Sequence, residues 1–154
     1  MILDQFSLQG KVAIVTGASR GLGRGMALAL AEAGADIVGV GISDSSSTGE
    51  AVEALGRRYL AHTADLTDKA CVPGIVTATK KAFGRIDILV NNAGTIRRND
   101  FVAVTEEDWD AVMDLNLNTL FFLSQAVAKQ YIAQGSGGKI IHIASMLSFQ
   151  GGIR

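Results

Sequence analysis

Short runs that are apolar throughout alternate along this chain with longer stretches whose apolar residues recur every three or four positions. Val12–Val15 is an unbroken apolar run and predicts a strand buried on both faces. Leu22, Met26, Ala29, Leu30 and Ala33 then fall at helical spacing, and Gly34 is a natural helix stop. Ile37–Val40 predicts a second strand. Val52 and Leu55 belong to a short helix that follows the polar loop SDSSST. Tyr59–Thr63 predicts a third strand, and Val72, Ile75, Val76, Thr79 and Phe83 a further helix that tolerates Pro73 in its first turn. Ile86–Val90 predicts a fourth strand. Thr105 and Asp108 have the spacing of a capping box and open a long helix running towards Gln134. The stretch GSGG ends that helix, and Lys139–Ala144 predicts a fifth strand.

Strand and helix alternate through the whole chain, which implies a parallel sheet with helices on both faces. Right-handed crossovers make an α/β, doubly wound, Rossmann-type sheet the simplest topology. No internal repeat or linker divides residues 1–154, so one domain is expected. In such sheets ligands bind beyond the carboxyl ends of the strands, where the strand order reverses.

The stretch TGASRGLGRG lies where the first strand gives way to the first helix. Glycine weakens either element, so bare backbone at this corner asks for a reason. A helix start presents unpaired N–H groups and a partial positive charge, which suit a phosphate. Gly17, Gly21 and Gly23 would let the chain turn tightly, admit a diphosphate and pack helix against strand. A glycine-rich connection without a ligand is the bland alternative; the repeating β/α context favours a nucleotide. No Gly-Lys-Ser/Thr follows, so this is not a Walker A loop, and G-x-x-x-G-x-G departs from the common G-x-G-x-x-G.

Composition narrows the classes. Apolar residues make up 48% and charged residues 19%, which suits a packed core. A net charge of −1 gives no electrostatic case for nucleic acid or an anionic membrane. No apolar run is long enough to span a bilayer, and the start, with Asp4 and no basic flank, makes a poor signal peptide. Cys71 is the only cysteine, so a reducing, cytoplasmic location is expected. No His, Cys or carboxylate cluster has metal-ligand spacing, so no metal is expected, and no His/acid pair suggests a nucleophilic triad. His62 and His142 are expected to be structural, His142 as a packed core residue.

The spacing in TGASRGLG resembles the glycine motif of the short-chain dehydrogenase/reductase family. NNAG at Asn91–Gly94, after the fourth strand, resembles that family's second signature. ADL at Ala64–Leu66 resembles its adenine-contacting segment, and IIHIAS, ending at Ser145, its serine-bearing strand. The motifs occur in the family's order over essentially the whole chain. The segments IDILVNNAGTIRR, ALGRRYL and YIAQGSGGKIIHIASMLSFQGGIR are similar to sugar-acid dehydrogenases within it.

The resemblance implies hydride transfer between a nicotinamide cofactor and a keto or hydroxy sugar acid. Carried over position by position, it implies a cofactor site of Gly17, Ser19, Arg20, Gly21, Leu22, Gly23, Asp65, Leu66, Asn92, Ala93 and Gly94. Ser145 would bond the substrate oxygen. Asn116, in DLNLN, would mark a helix distortion that holds a water in a proton relay, whereas Asn118 is expected to be merely exposed. Read without the family, Asp65 is equally a local cap, Asn92–Gly94 an ordinary turn and Asn116 part of a solvated face. A homo-oligomer, commonly a tetramer, is also implied.

Cofactor choice pulls two ways. An acid that would bind the ribose 2′-hydroxyl is missing where the second strand ends in Gly41, Ile42 and Ser43, and Arg20 could meet a 2′-phosphate, which favours NADP. The likeness to sugar-acid enzymes favours NAD, which is the expectation adopted. A carboxylate substrate wants a cation, and Arg154 is the candidate; Arg97 and Arg98 read as surface arginines.

One departure stands out. The family's Y-x-x-x-K pair is absent from this sequence, and Tyr59 and Tyr131 lie in the wrong elements to replace it. The chain is therefore expected to be the amino-terminal part of a longer protein, nearly inactive alone, with its apolar fifth strand covered by further strands and helices beyond Arg154. A cofactor-binding module without catalysis and a methyltransferase are rivals that would use the same glycine corner.

Overall fold

The computed structural model describes residues 2–150. Strands β1 (Val12–Thr16), β2 (Asp36–Gly41), β3 (Tyr59–Thr63), β4 (Ile88–Asn91) and β5 (Lys139–His142) form one sheet in the order β3-β2-β1-β4-β5. Every pairing is parallel. The helices are α1 (Gly21–Glu32), α2 (Ser46–Ala54), α3 (Val72–Phe83), α4 (Glu106–Met113) and α5 (Thr119–Gln134). The chain winds outwards from β1 to β3, then crosses back to β4 on the other side. The order therefore reverses between β1 and β4, and a crevice opens beyond their carboxyl ends. This is a Rossmann-like, doubly wound fold.

Every residue of β1 is buried, because both faces of the central strand carry helices. Side-chain alternation divides the core in two. Val12, Ile14, Val38, Val40 and Leu89 point to one face, with Val72, Ile75, Leu123 and Val127 of α3 and α5. Ala13, Val15, Ile37, Ile88 and Val90 point to the other, against Ala27 and Ala31 of α1 and Val52 of α2. The first face is built from bulky side chains. The second is built largely from alanine, so α1 can lie close to the sheet.

That closeness corrects the expected stripe of α1. The face turned to the sheet is Gly23, Ala27 and Ala31. Leu22 is 75% exposed and Ala29 is exposed, while Met26 and Leu30 pack at the margin. Small residues won the inner face because the first turn must pass over the glycine corner. The polar loop before α2 is shorter than expected: the helix starts at Ser46, where Asp44 accepts bonds from the Ser46 N–H and hydroxyl at 3.0 and 2.8 Å. Leu55 lies outside that helix and is 42% exposed.

β4 starts later than expected, at Ile88, because Asp87 is drawn into a cluster at the other end of the sheet. Its carboxylate accepts the Val12 N–H at 3.0 Å and two Arg85 bonds at 2.6 and 2.7 Å, with Lys11 at 3.6 Å. β5 stops at His142, short of Ala144. It is the edge strand beside β4, and Ile141 is 44% exposed. His142 is exposed rather than packed in the core, because only β4 flanks its strand. Its Nδ1 lies 3.2 Å from Asn91 Nδ2.

The helix expected from Thr105 to Gln134 is one continuous rod only in outline. Thr105 Oγ1 accepts the Asp108 N–H at 3.1 Å and so starts α4. Residues Asp114–Asn118 then form a π-helical step before α5 begins. Asn118 is not merely exposed: it is half-buried and donates to Asp114 Oδ1 at 2.7 Å. Among the described residues, no helix is long and apolar enough to cross a membrane. No cluster of three or more His, Cys, Asp or Glu side chains among them is placed to hold a metal.

Candidate functional site

Thr16 closes β1 and ties the switch point together. Its buried hydroxyl donates to Val90 O at 3.3 Å and accepts the N–H groups of Asn92 and Ala93 at 2.9 and 3.0 Å. Asn92 Nδ2 returns the link, donating to Thr16 O at 2.9 Å and to Gly17 O at 3.4 Å. The Asn92 amide is thus spent on joining the β4 corner to the β1 corner. A cofactor could meet its backbone, but its side-chain nitrogen is already committed.

Gly17 and Gly21 hold φ of 68° and 56°, the left-handed region that side chains disfavour. Gly23 has a different reason to be glycine: a β-carbon there would run into the Gly17 carbonyl and into Asn92 Nδ2. The helix start that follows carries no side-chain cap, since Arg20 at that position makes no capping bond. Its first N–H groups therefore face the crevice without a side-chain partner, as an anion site requires. Thr48 Oγ1 donates to Ala18 O at 2.9 Å and braces the loop from α2. Ser19 borders a small recess with Ala18, Gly41, Ser43 and Ser45, and Arg20 and Leu22 stand exposed at the rim. These features fit a dinucleotide's diphosphate.

Beyond β3, Asp65 and Leu66 line a cleft of about 170 Å³ together with Gly41, Ile42, Ala93, Gly94 and Leu115. Asp65 Oδ1 accepts the Thr67 N–H at 2.9 Å and the Thr67 hydroxyl at 2.7 Å. These bonds hold its carboxyl below the usual carboxylate range and keep it an acceptor. Both fall on the same oxygen, so the local-cap role and an adenine-facing role are compatible at this residue.

The second cleft, about 410 Å³, is lined by Asn92, Ala93, Gly94, Thr95, Ile96, Asn116, Leu120, Ile143, Ala144 and Ser145. Ala93 and Gly94 form the wall common to both clefts. Asn116 sits in the π-helical step and clasps the Thr95 backbone. Its Oδ1 accepts the Thr95 N–H and its Nδ2 donates to Thr95 O, both at 2.9 Å. Asp and Asn are weak helix formers, and the wider turn gives this polar run partners outside the helix. Ser145 opens a short 3-10 turn and accepts the Leu147 N–H at 3.1 Å, so its own proton remains free to donate.

The structure thus gathers Asn92, Ala93, Gly94, Asn116 and Ser145, far apart in sequence, around one cleft. Arg154 lies outside the described residues. Arg97 Nε stands 3.8 Å from Asp108, in keeping with a surface arginine. Neither tyrosine reaches the cleft. Tyr131 donates to Lys139 O at 2.9 Å, and burial, with the Asp87 charge, pushes its pKa upwards. Burial likewise raises Tyr59, in β3. Sequence reasoning missed Thr16, Thr48 and Thr95 as supports of the site. The signal at Thr16 was a polar residue closing an otherwise apolar, fully buried strand.

An open crevice at a strand-order switch, with bare backbone at a helix start and Ser145 beside the cleft beyond, is the arrangement of a Rossmann-type domain. The chain belongs to the short-chain dehydrogenase family, whose model matches residues 11–154. It is 61% identical, over all 154 of its residues and 61% of the relative's length, to the 2-dehydro-3-deoxy-D-gluconate 5-dehydrogenase of Escherichia coli K12. It is 58% identical over the same shares to the enzyme of that name from Dickeya dadantii 3937. A solved Agrobacterium tumefaciens structure, described as a candidate 2-deoxy-D-gluconate 3-dehydrogenase with bound NADP, superposes with a TM-score of 0.86 at 46% identity. That match covers 97% of this chain and 58% of the other. A Mycobacterium marinum short-chain type dehydrogenase/reductase superposes at 0.95 with 33% identity, over 100% of this chain and 63% of that one. The chain spans about three fifths of the length of the curated relatives it matches.

Proposed function

We propose that this chain forms the cofactor-binding part, and one wall of the active site, of an NAD(P)-dependent dehydrogenase of sugar acids. The reaction would interconvert 2-keto-3-deoxygluconate and 3-deoxy-2,5-diketohexonate at C5. The observation that supports it most is the 61% identity to a 2-dehydro-3-deoxy-D-gluconate 5-dehydrogenase along the whole chain. The glycine corner agrees with it physically.

In this reading Gly17, Ser19, Gly21 and Gly23, with the amino end of α1, hold the diphosphate. Asp65 and Leu66 take the adenine end, and Ala93 and Gly94 border the path to the second cleft. The bound nicotinamide supplies or accepts the hydride. Ser145 donates its hydroxyl proton to the substrate oxygen, which orients and polarises the carbonyl. Asn116 fixes the loop at Thr95 against the helix step, and so fixes the wall of the cleft. The substrate carboxylate would meet Arg154. The general acid–base pair of the family is not among residues 1–154, and neither Tyr59 nor Tyr131 lines the second cleft.

We take NAD as the cofactor on the likeness to the sugar-acid enzymes. A second reading, NADP, is favoured by the absence of an acid at Gly41–Ser43 and by the spending of Asp44 on the cap of α2. The NADP-bound Agrobacterium neighbour points the same way. The test is turnover of the diketo acid by the full-length protein with NADH and with NADPH. A lower KM for NADH supports the first reading and a lower KM for NADPH the second. Binding of S-adenosylmethionine in place of either, or reduction of neutral ketones with no preference for the acid, would overturn the proposal.

A further inference from the structure

Thr119 is 2% exposed, and its hydroxyl has no hydrogen-bond partner among the described residues. A threonine inside a helix ordinarily satisfies its hydroxyl on the carbonyl four residues back, as Thr79 does on Ile75 O at 2.8 Å. Thr119 lacks that solution because it is the first residue after the π-helical step. Its own N–H reaches back five residues to Asp114 O, so that N–H no longer serves the Leu115 carbonyl. The wider turn leaves Thr119 and Leu115 together on the wall of a small, partly open cavity of about 10 Å³, which Asn91 and Thr16 also line.

That volume accommodates a single water, and a buried water needs two to four polar partners. Asn91 is buried, and its hydrogen bonds run through Nδ2, to Ser124 Oγ at 3.0 Å and towards His142. Its Oδ1 is therefore available as an acceptor. Thr16 is saturated by its own bonds. An unpartnered buried hydroxyl ordinarily signals a missing partner rather than a tolerated loss.

We propose that Thr119 binds one buried water in this cavity. Asn91 Oδ1 and the Leu115 carbonyl complete its shell, and through it Thr119 positions the π-helical step that carries Asn116. The cavity lies between the β1 and β4 corners and that step. One water here would fix the distance between the two walls of the cleft without touching substrate. Thr119 is then a positioning residue. The kinetic part of this inference rests on the dehydrogenase reading; the water itself does not.

Two substitutions at constant fold separate the roles. Thr119→Val keeps the shape and loses the hydroxyl, while Thr119→Ser keeps the hydroxyl and loses a methyl. If Thr119 binds the water, the full-length Thr119→Ser variant keeps kcat near the parent. Thr119→Val then loses about five- to tenfold in kcat, the worth of one buried hydrogen bond, at unchanged cofactor affinity. If Thr119 only packs, the order reverses, with Val equal to or better than the parent and Ser worse; that outcome overturns the proposal. A crystal structure of the full-length parent protein needs no variant. A solvent peak within hydrogen-bond reach of Thr119 Oγ1 and Asn91 Oδ1 supports the site, and its absence at a resolution that orders buried solvent refutes it. If the peak is present and no sugar acid is turned over, the water stands and the functional reading falls.

Discussion

The carboxyl ends of β1 and β5 both contribute to the same crevice, yet they are built in opposite ways. At β1 every residue is buried, and the corner beyond it is fixed by Thr16, Asn92 and Thr48 through bonds to backbone. At β5 the strand is largely exposed, and Ser145 beyond it is held by one local bond to Leu147 N. The difference teaches that the two corners are held by bonds of different range: the first by links between distant strands, the second by a bond to a residue two positions on. Changes at the first corner should therefore cost fold and binding together, and changes at the second should cost chemistry alone.

The largest expected effect is at Gly23. Gly23→Ala places a β-carbon against the Gly17 carbonyl, so helix and loop must part. Stability should fall by about 3 kcal/mol, as for severe overpacking, and NADH binding, followed by fluorescence titration, should weaken at least about tenfold. Retained affinity would mean the corner is looser than its contacts imply. Ser145→Ala is the opposite case. Its melting temperature should stay near the parent's, because the side chain holds one local bond, to Leu147 N, while kcat of the full-length protein drops about a hundredfold. A fall in stability of similar weight would erase the contrast between the corners.

Thr16→Val should come next. It strands the Asn92 and Ala93 N–H groups and should cost about 2 kcal/mol in chemical denaturation. The smallest effect lies at the far end of the sheet, at Asp87. Burial opposes ionisation there, but the Arg85 bonds, the Val12 N–H and the charges of Arg85 and Lys11 outweigh it and hold the carboxyl below 3.8. A depressed folded-state pKa stabilises above the unfolded value and is lost as pH falls through the folded one. Thermal melts should therefore fall as the pH drops below 3.8, and Asp87→Asn should flatten that acid slope. Because this cluster sits at the amino ends of the strands, cofactor affinity should not follow it.

Much of this was legible in the sequence, because the relevant physics is local. A fully apolar run between glycine-bearing stops can hardly be anything but a buried strand, as Val12–Val15 illustrates. The glycine corner was equally legible, since only a need for bare backbone explains Gly17, Gly21 and Gly23 together. The phase of α1 was not. Leu22 and Ala29 fit a helical stripe as well as Gly23, Ala27 and Ala31 do, and only the distance between helix and sheet selects the smaller set. His142 is exposed within residues 2–150, where β5 has β4 as its one neighbour.

Periodicity and glycine placement alone determined the order of strands and helices, their parallel sheet and the corner of bare backbone after β1, because each arises from backbone sterics and from neighbours in the chain. Tertiary structure decided which helix face turns inward and that Asn92 spends its amide on Thr16 and Gly17. It also decided that a π-helical step at Asp114–Asn118 separates α4 from α5, bringing Asn116 to Thr95 and leaving the buried Thr119 hydroxyl without a partner among the described residues. Those outcomes depend on which distant backbone groups come within hydrogen-bond reach once the sheet is assembled, and no local pattern encodes that distance.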